Sequence, residues 1–294
     1  MGRIFCSSQK ERNSLDLNDC KSLFDWLSDE LSRTMFFNGS SQSIEEHEVW
    51  FKNSLCNVDR VLYVGELGYK KLGVCRFDFM ESEMLTEVSI NMNPSMRGSG
   101  LEEKFLFESI ECYLEKNKYN LLAKVKPNNL TSLNVFKSAG FESIASDESM
   151  IVLRRDFKEV SFKEVNDQDT KVLLNLLENR DYSISHLNLP SKNDHLLFVK
   201  SKPYRYWAIV LEDNLPVGTV YIKSNNSIGL NLIQQKKQLV YKILRHIKNS
   251  FNPLKEVKSK VPPYFYVNIS YANNKLAKIL CELDASPIQV SYKI

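Results

Sequence analysis

Two stretches of the chain, 145 residues apart, carry one pattern. Leu62-Tyr63-Val64, a polar turn and Leu72-Gly73-Val74-Cys75-Arg76-Phe77 return as Trp207-Ala208-Ile209-Val210, a turn and Val217-Gly218-Thr219-Val220-Tyr221-Ile222. Further on, Asn128-Asn129-x-x-Ser132, ending at Gly140, returns as Asn273-Asn274-x-x-Ala277, ending at Ala285, again at an offset of 145. Solenoid periods run to roughly 20 to 50 residues, so a repeat of this length is a duplicated domain. A chain of 294 residues has room for two. The join is expected near Asp156, giving domains 1–155 and 156–294.

Within the first copy, Leu17, Leu23, Phe24, Leu27 and Leu31 recur at helical spacing, which predicts a helix from Asp16 to Leu31. Ser43 followed three residues later by Glu46 is a capping box that starts a second helix. Hairpin strands are expected at about 60–66 and 71–79, and a third from Glu87 to Asn93. A helix from Met96 to Lys116, a strand over 121–126, a short helix over 129–138 stopped by Gly140, and a closing strand at 150–153 complete the copy. A first strand is expected at the N-terminus. The order predicts an α/β fold class, each domain a central mixed, largely antiparallel sheet flanked by helices.

Composition removes several functional classes. The chain is 43% hydrophobic and 26% charged, as globular domains are, with 39 basic against 36 acidic side chains and a net charge of +3. No one-signed field is available to grip a nucleic-acid backbone, so nucleic acid is not an expected partner. Six cysteines without a C-x-x-C pair point to reduced thiols and to no metal site. No apolar run reaches the length of a membrane span and no secretory pattern opens the chain, so a cytoplasmic protein is expected. Met1-Gly2 is followed by Cys6 where an acylation signal needs Ser or Thr.

The chemistry is written after the third strand, where Glu87-Val-Ser-Ile90-Asn-Met92-Asn-Pro-Ser-Met leads into Arg97-Gly98-Ser99-Gly100-Leu101. A strand feeding a glycine loop that opens a helix makes an anion site. The first backbone N–H groups of a helix lack intrahelical partners and sit at the positive end of its dipole, and glycine lets a phosphate approach. Two glycines before a helix are also an ordinary turn.

Together with this loop, Lys126-Pro-Asn-Asn129-Leu-Thr-Ser132-Leu-Asn-Val-Phe136-Lys-Ser-Ala-Gly140-Phe141 resembles the acetyl-CoA site of the GCN5-related N-acetyltransferases, the GNAT family. The resemblance spans about residues 12 to 155. His47-Glu-Val-Trp50-Phe51, Arg76-Phe77-Asp78-Phe79 and Glu87-Val-Ser-Ile90-Asn91 are similar, more narrowly, to the branch that acetylates nucleotide-linked amino sugars in pseudaminic acid biosynthesis.

That resemblance implies acetyl-CoA as cosubstrate and a small amine as acceptor. Backbone groups of Ile90 and Met92 would pair with the pantetheine arm, and Arg97, Gly98, Ser99, Gly100 and Leu101 would hold the pyrophosphate. Asn129 would bond the pantetheine region, and Ser132 would keep its helix close. The sequence departs from the family at Glu102, where Gly or Ala is usual, and at Phe136, where many members carry a proton-donating Tyr. Glu87 is the first candidate for the base that strips the ammonium proton, its alternative an ordinary strand acid. His47 is the second, its alternative a packed histidine. Arg76 and Asp78 alternate onto one strand face, where they read a polar substrate or pair with each other.

In the second copy the corresponding loop reads Ile233-Gln-Gln-Lys236-Lys237-Gln238, with no glycine, and a degenerate GNAT-like domain is expected. Its role would be to complete the substrate cleft or form an interface, with a homodimer left open. Acetylation of proteins or peptides, and acyl-CoA binding without catalysis, are the other readings.

Overall fold

A computed structural model of the chain describes residues 15–37, 42–180, 182 and 189–290. The first strand expected at the N-terminus and the Met1-to-Cys6 segment lie outside these. The chain divides into two compact units, residues 1–157 and 158–294.

The first unit begins with α1 (Leu17–Ser28), α2 (Glu30–Met35) and α3 (Ile44–Cys56). The single helix expected over 16–31 is thus broken. Asp29, with φ −57° and ψ 135°, leaves helical geometry, and its carboxylate caps α2 by accepting the Ser32 N–H at 3.0 Å. The Ser43–Glu46 capping box is formed at the head of α3. Strands β1 (Arg60–Leu67), β2 (Lys70–Met80) and β3 (Leu85–Met92) form an antiparallel meander. They are followed by α4 (Glu102–Lys116), β4 (Asn120–Val125), α5 (Leu130–Ser138), β5 (Glu142–Ser146) and β6 (Ile151–Arg155). The sheet order is β1-β2-β3-β4-β6-β5, with β3 and β4 parallel. β5 went unread in the sequence because all five of its residues are exposed, leaving no buried alternation to signal a strand.

Alternation on the other strands divides the sheet into two apolar faces. Tyr63, Cys75, Phe77, Val88, Leu121 and Ala123 pack with Phe105, Leu106 and Ile110 of α4. On the opposite face Leu62, Val64 and Val74 pack with Cys20, Leu23 and Trp26 of α1 and Phe51 of α3. Arg155 and Glu111, 6% and 2% exposed, form a buried ion pair between β6 and α4, and Arg155 also donates to the Ala139 carbonyl at 2.8 Å.

The second unit contains β7 (Val160–Glu164), α6 (Thr170–Glu178), α7 (Lys192–Lys200), β8 (Tyr206–Glu212), β9 (Leu215–Ile222), β10 (Ser227–Leu232), α8 (Lys237–Ser250), β11 (Tyr266–Val267) and α9 (Asn274–Glu282). From β8 to α9 it repeats the first unit's run from β1 to α5, with β10 and β11 parallel as β3 and β4 are.

The repeated glycines have the same cause in both units. A Cβ on Gly73 would lie 2.5 Å from the Asn91 carbonyl oxygen and 2.9 Å from Met92 Cα, and one on Gly218 would lie 2.4 Å from the Asn231 oxygen and 3.0 Å from Leu232 Cα. Each glycine lets the middle strand lie close against the end of the third. The second anchor is shifted by one residue from the expected alignment. Asn129 corresponds to Asn273, since each caps a nine-residue helix with φ/ψ of −89°/66° and −86°/65°. Gly140 (φ 91°) then corresponds to Asp284 (φ 65°), an offset of 144.

Candidate active site

β3 and β4 pair only at their starts, through Leu85↔Asn120, Thr86↔Leu121 and Glu87↔Leu122, and then separate. Which β3 peptides face the gap follows from the antiparallel ladder with β2. Asn93 donates to the Leu72 carbonyl at 2.8 Å, so the odd residues of β3 bond β2 and the even ones turn their N–H and C=O the other way. Beyond the last β3–β4 pair those are Val88, Ile90 and Met92. Both strands end at this opening, and α4 and α5 begin there. In α/β sheets, ligands bind at the carboxyl ends of parallel strands.

The expected helix from Met96 starts six residues later, at Glu102. Pro94–Met96 form one 3-10 turn, and Gly98 and Gly100 take φ values of +68° and +74°, in the left-handed region that disfavours other residues. Around either glycine the space a Cβ would occupy is open to 4 Å. Leu101 caps α4 without any side-chain hydrogen bond, so the first N–H groups of the helix point into this loop.

Two side chains there are already engaged. Glu102 turns back and its carboxylate accepts the Gly98 N–H at 2.7 Å. An acid therefore sits on one of the loop's amides. The Arg97 guanidinium turns away from the loop, to Asp29 Oδ2 and Ser32 Oγ, each at 2.6 Å. That contact holds the Asp29 carboxyl below the usual carboxylate range. Arg97 thus ties the loop to the α1–α2 junction instead of presenting its charge to a phosphate. Ser99 Oγ donates to the Met96 carbonyl at 2.6 Å, and Leu101 packs against the α4-side core.

At the head of α5, Asn129 Oδ1 accepts the Ser132 N–H at 3.1 Å. This ties the two residues into one helix cap. Phe136 is buried, edge-on to Phe141 at 5.1 Å between centroids.

On the opposite face of the sheet lies a small cleft walled by Leu23, Leu27, Phe36 and Trp50 with Arg76, Ser89 and Asn91 on its floor. Ser89 pairs across strands with Arg76, and Asn91 with Val74. Asn91 is 8% exposed; its Oδ1 accepts from Ser32 at 3.1 Å, and its Nδ2 is buried with no partner. A buried donor left unpaired costs about 1–3 kcal/mol, and a ligand acceptor in the cleft removes that cost. Arg76 pairs with Asp78 at 2.9 Å, and Asp78 also takes Arg60.

Glu87 shares this face with Ser89 and Asn91, and its carboxylate takes the Lys124 ammonium at 2.7 Å. His47 is 1% exposed, packed between Phe24 and Trp50 at 5.5 and 5.1 Å. Burial pushes its pKa down, against a hydrogen bond with the Cys20 backbone that raises it. The imidazole is packed in the core and is not part of the cleft lining, with its Nε2 buried and without a hydrogen-bond partner. Asp29, Ser32 and Lys124 carry no signal along the chain, because the Arg97–Asp29 and Lys124–Glu87 contacts join residues 68 and 37 positions apart.

Residues 13–142 match the family model described as acetyltransferase (GNAT) domain. No curated protein sequence matches the chain. Among solved structures, the N-acetyltransferase PseH of Campylobacter jejuni in complex with acetyl coenzyme A is 17% identical, with 51% of this chain and 97% of that one covered and a TM-score of 0.41. The aminoglycoside acetyltransferase AAC(6')-Ib with coenzyme A is 14% identical over 48% and 91%, with a TM-score of 0.42. RimL, a ribosomal L7/L12 α-N-protein acetyltransferase, is 13% identical over 49% and 91%, with a TM-score of 0.43. Among the described residues no helix is long and apolar enough to cross a membrane, and no group of three metal-binding side chains occurs.

Proposed function

From the premise that residues 13–142 are an acetyltransferase domain of the GNAT family, we propose that the chain transfers acetyl from acetyl-CoA to a small amine, with a nucleotide-linked amino sugar as the preferred acceptor. The observation that carries this reading is the gap between β3 and β4, edged by the outward-turned peptides of Ile90 and Met92 and leading to the uncapped start of α4. An extended pantetheine arm with its two amides pairs with such an edge as another strand does. The pyrophosphate lies on the amides of Gly98 to Leu101 once the Glu102 carboxylate swings aside. Asn129 and Ser132 hold the head of α5 against the arm.

In this reading the amine lies in the cleft above Arg76, Ser89 and Asn91, where the unpaired Asn91 Nδ2 donates to an acceptor hydroxyl or carbonyl. Glu87, across the strand from Asp78, takes the ammonium proton through a water after parting from Lys124. The free amine then forms the new C–N bond as the thioester C–S bond breaks, and the nitrogen releases its second proton to water. The thiolate leaves and takes its proton from water, since Phe136 has none to give.

Incubation with labelled acetyl-CoA and a panel of amines, nucleotide sugars and peptides tests the reading. In Glu87→Gln, acetyl-CoA affinity should persist while kcat falls about 10²-fold. An undiminished kcat would leave Glu87 a strand acid held by Lys124. Phe136, which has no proton to give, favours one alternative: a protein that binds acyl-CoA without turnover. Binding without transfer to any acceptor would establish it.

A further inference from the structure

We infer that the second unit docks on an anionic membrane surface through the loop that joins α8 to β11. Between Asp213 and Glu282 the sequence holds eleven Lys and Arg residues and one acid, Glu256, so the net charge of +3 for the whole chain conceals a one-signed segment. Lys236 and Lys237 of that segment lie against Glu212 and Glu282 at 3.8 and 3.0 Å, which answers their charge locally. Lys255, Lys258 and Lys260 stand in the loop, where Glu256 is the one acid.

The first unit has no counterpart to this loop. Residues 117–119 join α4 to β4, whereas residues 251–265 join α8 to β11. Residues 252–260 are exposed without a break, so burial in the core does not account for them. Their shape is nonetheless held. Asn226 is 0% exposed; its Nδ2 donates to the carbonyls of Leu254 at 3.0 Å and Pro262 at 2.8 Å, and its Oδ1 accepts the Leu254 N–H at 2.7 Å. One buried side chain thus clamps both ends of the excursion. Val257 and Val261 exchange N–H···O bonds at 2.9 and 2.8 Å, which sets Lys258 and Lys260 on either side of Ser259 (φ 63°) at the tip. At the loop's foot Arg205 donates to the Asn252 carbonyl at 2.9 Å and adds a cation. A surface fixed before it meets its partner loses less entropy on binding.

The apolar side chains among the lysines choose the partner. Leu254 and Val257 are 39% and 50% exposed. Nucleic-acid phosphates would take the lysines and leave both apolar groups in water. A bilayer interface takes both kinds, with the ammonium groups among anionic headgroups and the apolar groups toward the acyl boundary.

The full-length chain is sedimented with mixed phosphatidylserine–phosphatidylcholine vesicles and with phosphatidylcholine vesicles, and is titrated with polyuridylate. Partition onto the mixed vesicles should exceed that onto the neutral ones by about tenfold or more and weaken as salt rises. Lys258→Glu combined with Lys260→Glu should lower it by about tenfold or more, and Leu254→Ser should lower it several-fold at unchanged charge. These side chains are exposed, so folding is expected to survive, as an unchanged circular-dichroism melt would show. No binding to the mixed vesicles at low salt, a partition indifferent to the paired lysine variant or to Leu254→Ser, or tighter binding of polyuridylate than of the vesicles overturns the proposal.

Discussion

The two units share a strand gap and differ in the loop beyond it. In both, a glycine on the middle strand lets the third strand approach, the third and fourth strands part after two or three residue pairs, and an asparagine caps the helix after the fourth. In the first unit the loop has two glycines at positive φ and an uncapped helix start with Glu102 and Glu103 in its first turn. The start of α8 is uncapped as well, but the loop before it carries side chains throughout and its first turn has no acid. The gap belongs to the packing of the sheet and persists without the loop. A Cβ on either loop glycine would meet no neighbour, so beyond their positive φ their value lies in what they leave open.

The largest effect should come from closing that opening. Gly100→Trp adds an indole at φ +74°, with no neighbour to clash but with the cradle filled. Acetyl-CoA binding, one site per chain by calorimetry, should fall 100-fold or more, about 2.7 kcal/mol or more. Lys236→Glu in the second unit should leave it unchanged. Two equivalent sites in the parent chain would erase the contrast between the units.

A smaller change of opposite sign is expected at Glu102. Removing its carboxylate from the Gly98 N–H in Glu102→Ala frees an amide for phosphate and removes a like charge, so acetyl-CoA Kd should drop several-fold, with the gain shrinking at high salt. An unchanged Kd would mean that the carboxylate leaves the loop at no cost.

The smallest contrast concerns acid. Burial pushes down the pKa of His47 in the first unit and of His195 and His246 in the second. A histidine with a folded pKa below its unfolded one favours folding above about pH 6.5, and that contribution is lost as pH falls toward the folded value, because the unfolded chain binds the proton first. Hydrogen-exchange protection from pH 7 to about 5.5, corrected for the intrinsic exchange rate at each pH, should therefore fall more in the second unit than in the first. His47→Gln should flatten the first unit's response alone. Equal slopes in both units would place the acid sensitivity elsewhere.

Much of this was open to a reader of the sequence because it rests on local rules. Alternation marked β1 to β4, Ser43 and Glu46 marked a helix start, and glycines at 98 and 100 marked a loop before α4. Repetition of Gly73 at Gly218 announced two copies of one unit. What stayed hidden depends on residues meeting across the fold. Helix periodicity ran straight through Asp29, where the chain turns to receive Arg97 from a loop 68 residues later. His47 carried the right chemistry for a base, and only the packing of Phe24 and Trp50 around it decided that it is core. Likewise nothing in the run from Ile233 to Gln238 sets Gln235 apart, and only the packing of the second unit buries it. Spacing along the chain dictates which backbone groups pair and where pairing stops. Charge partners and burial are set by three-dimensional neighbours, and those exist only once the sheet and its helices have packed.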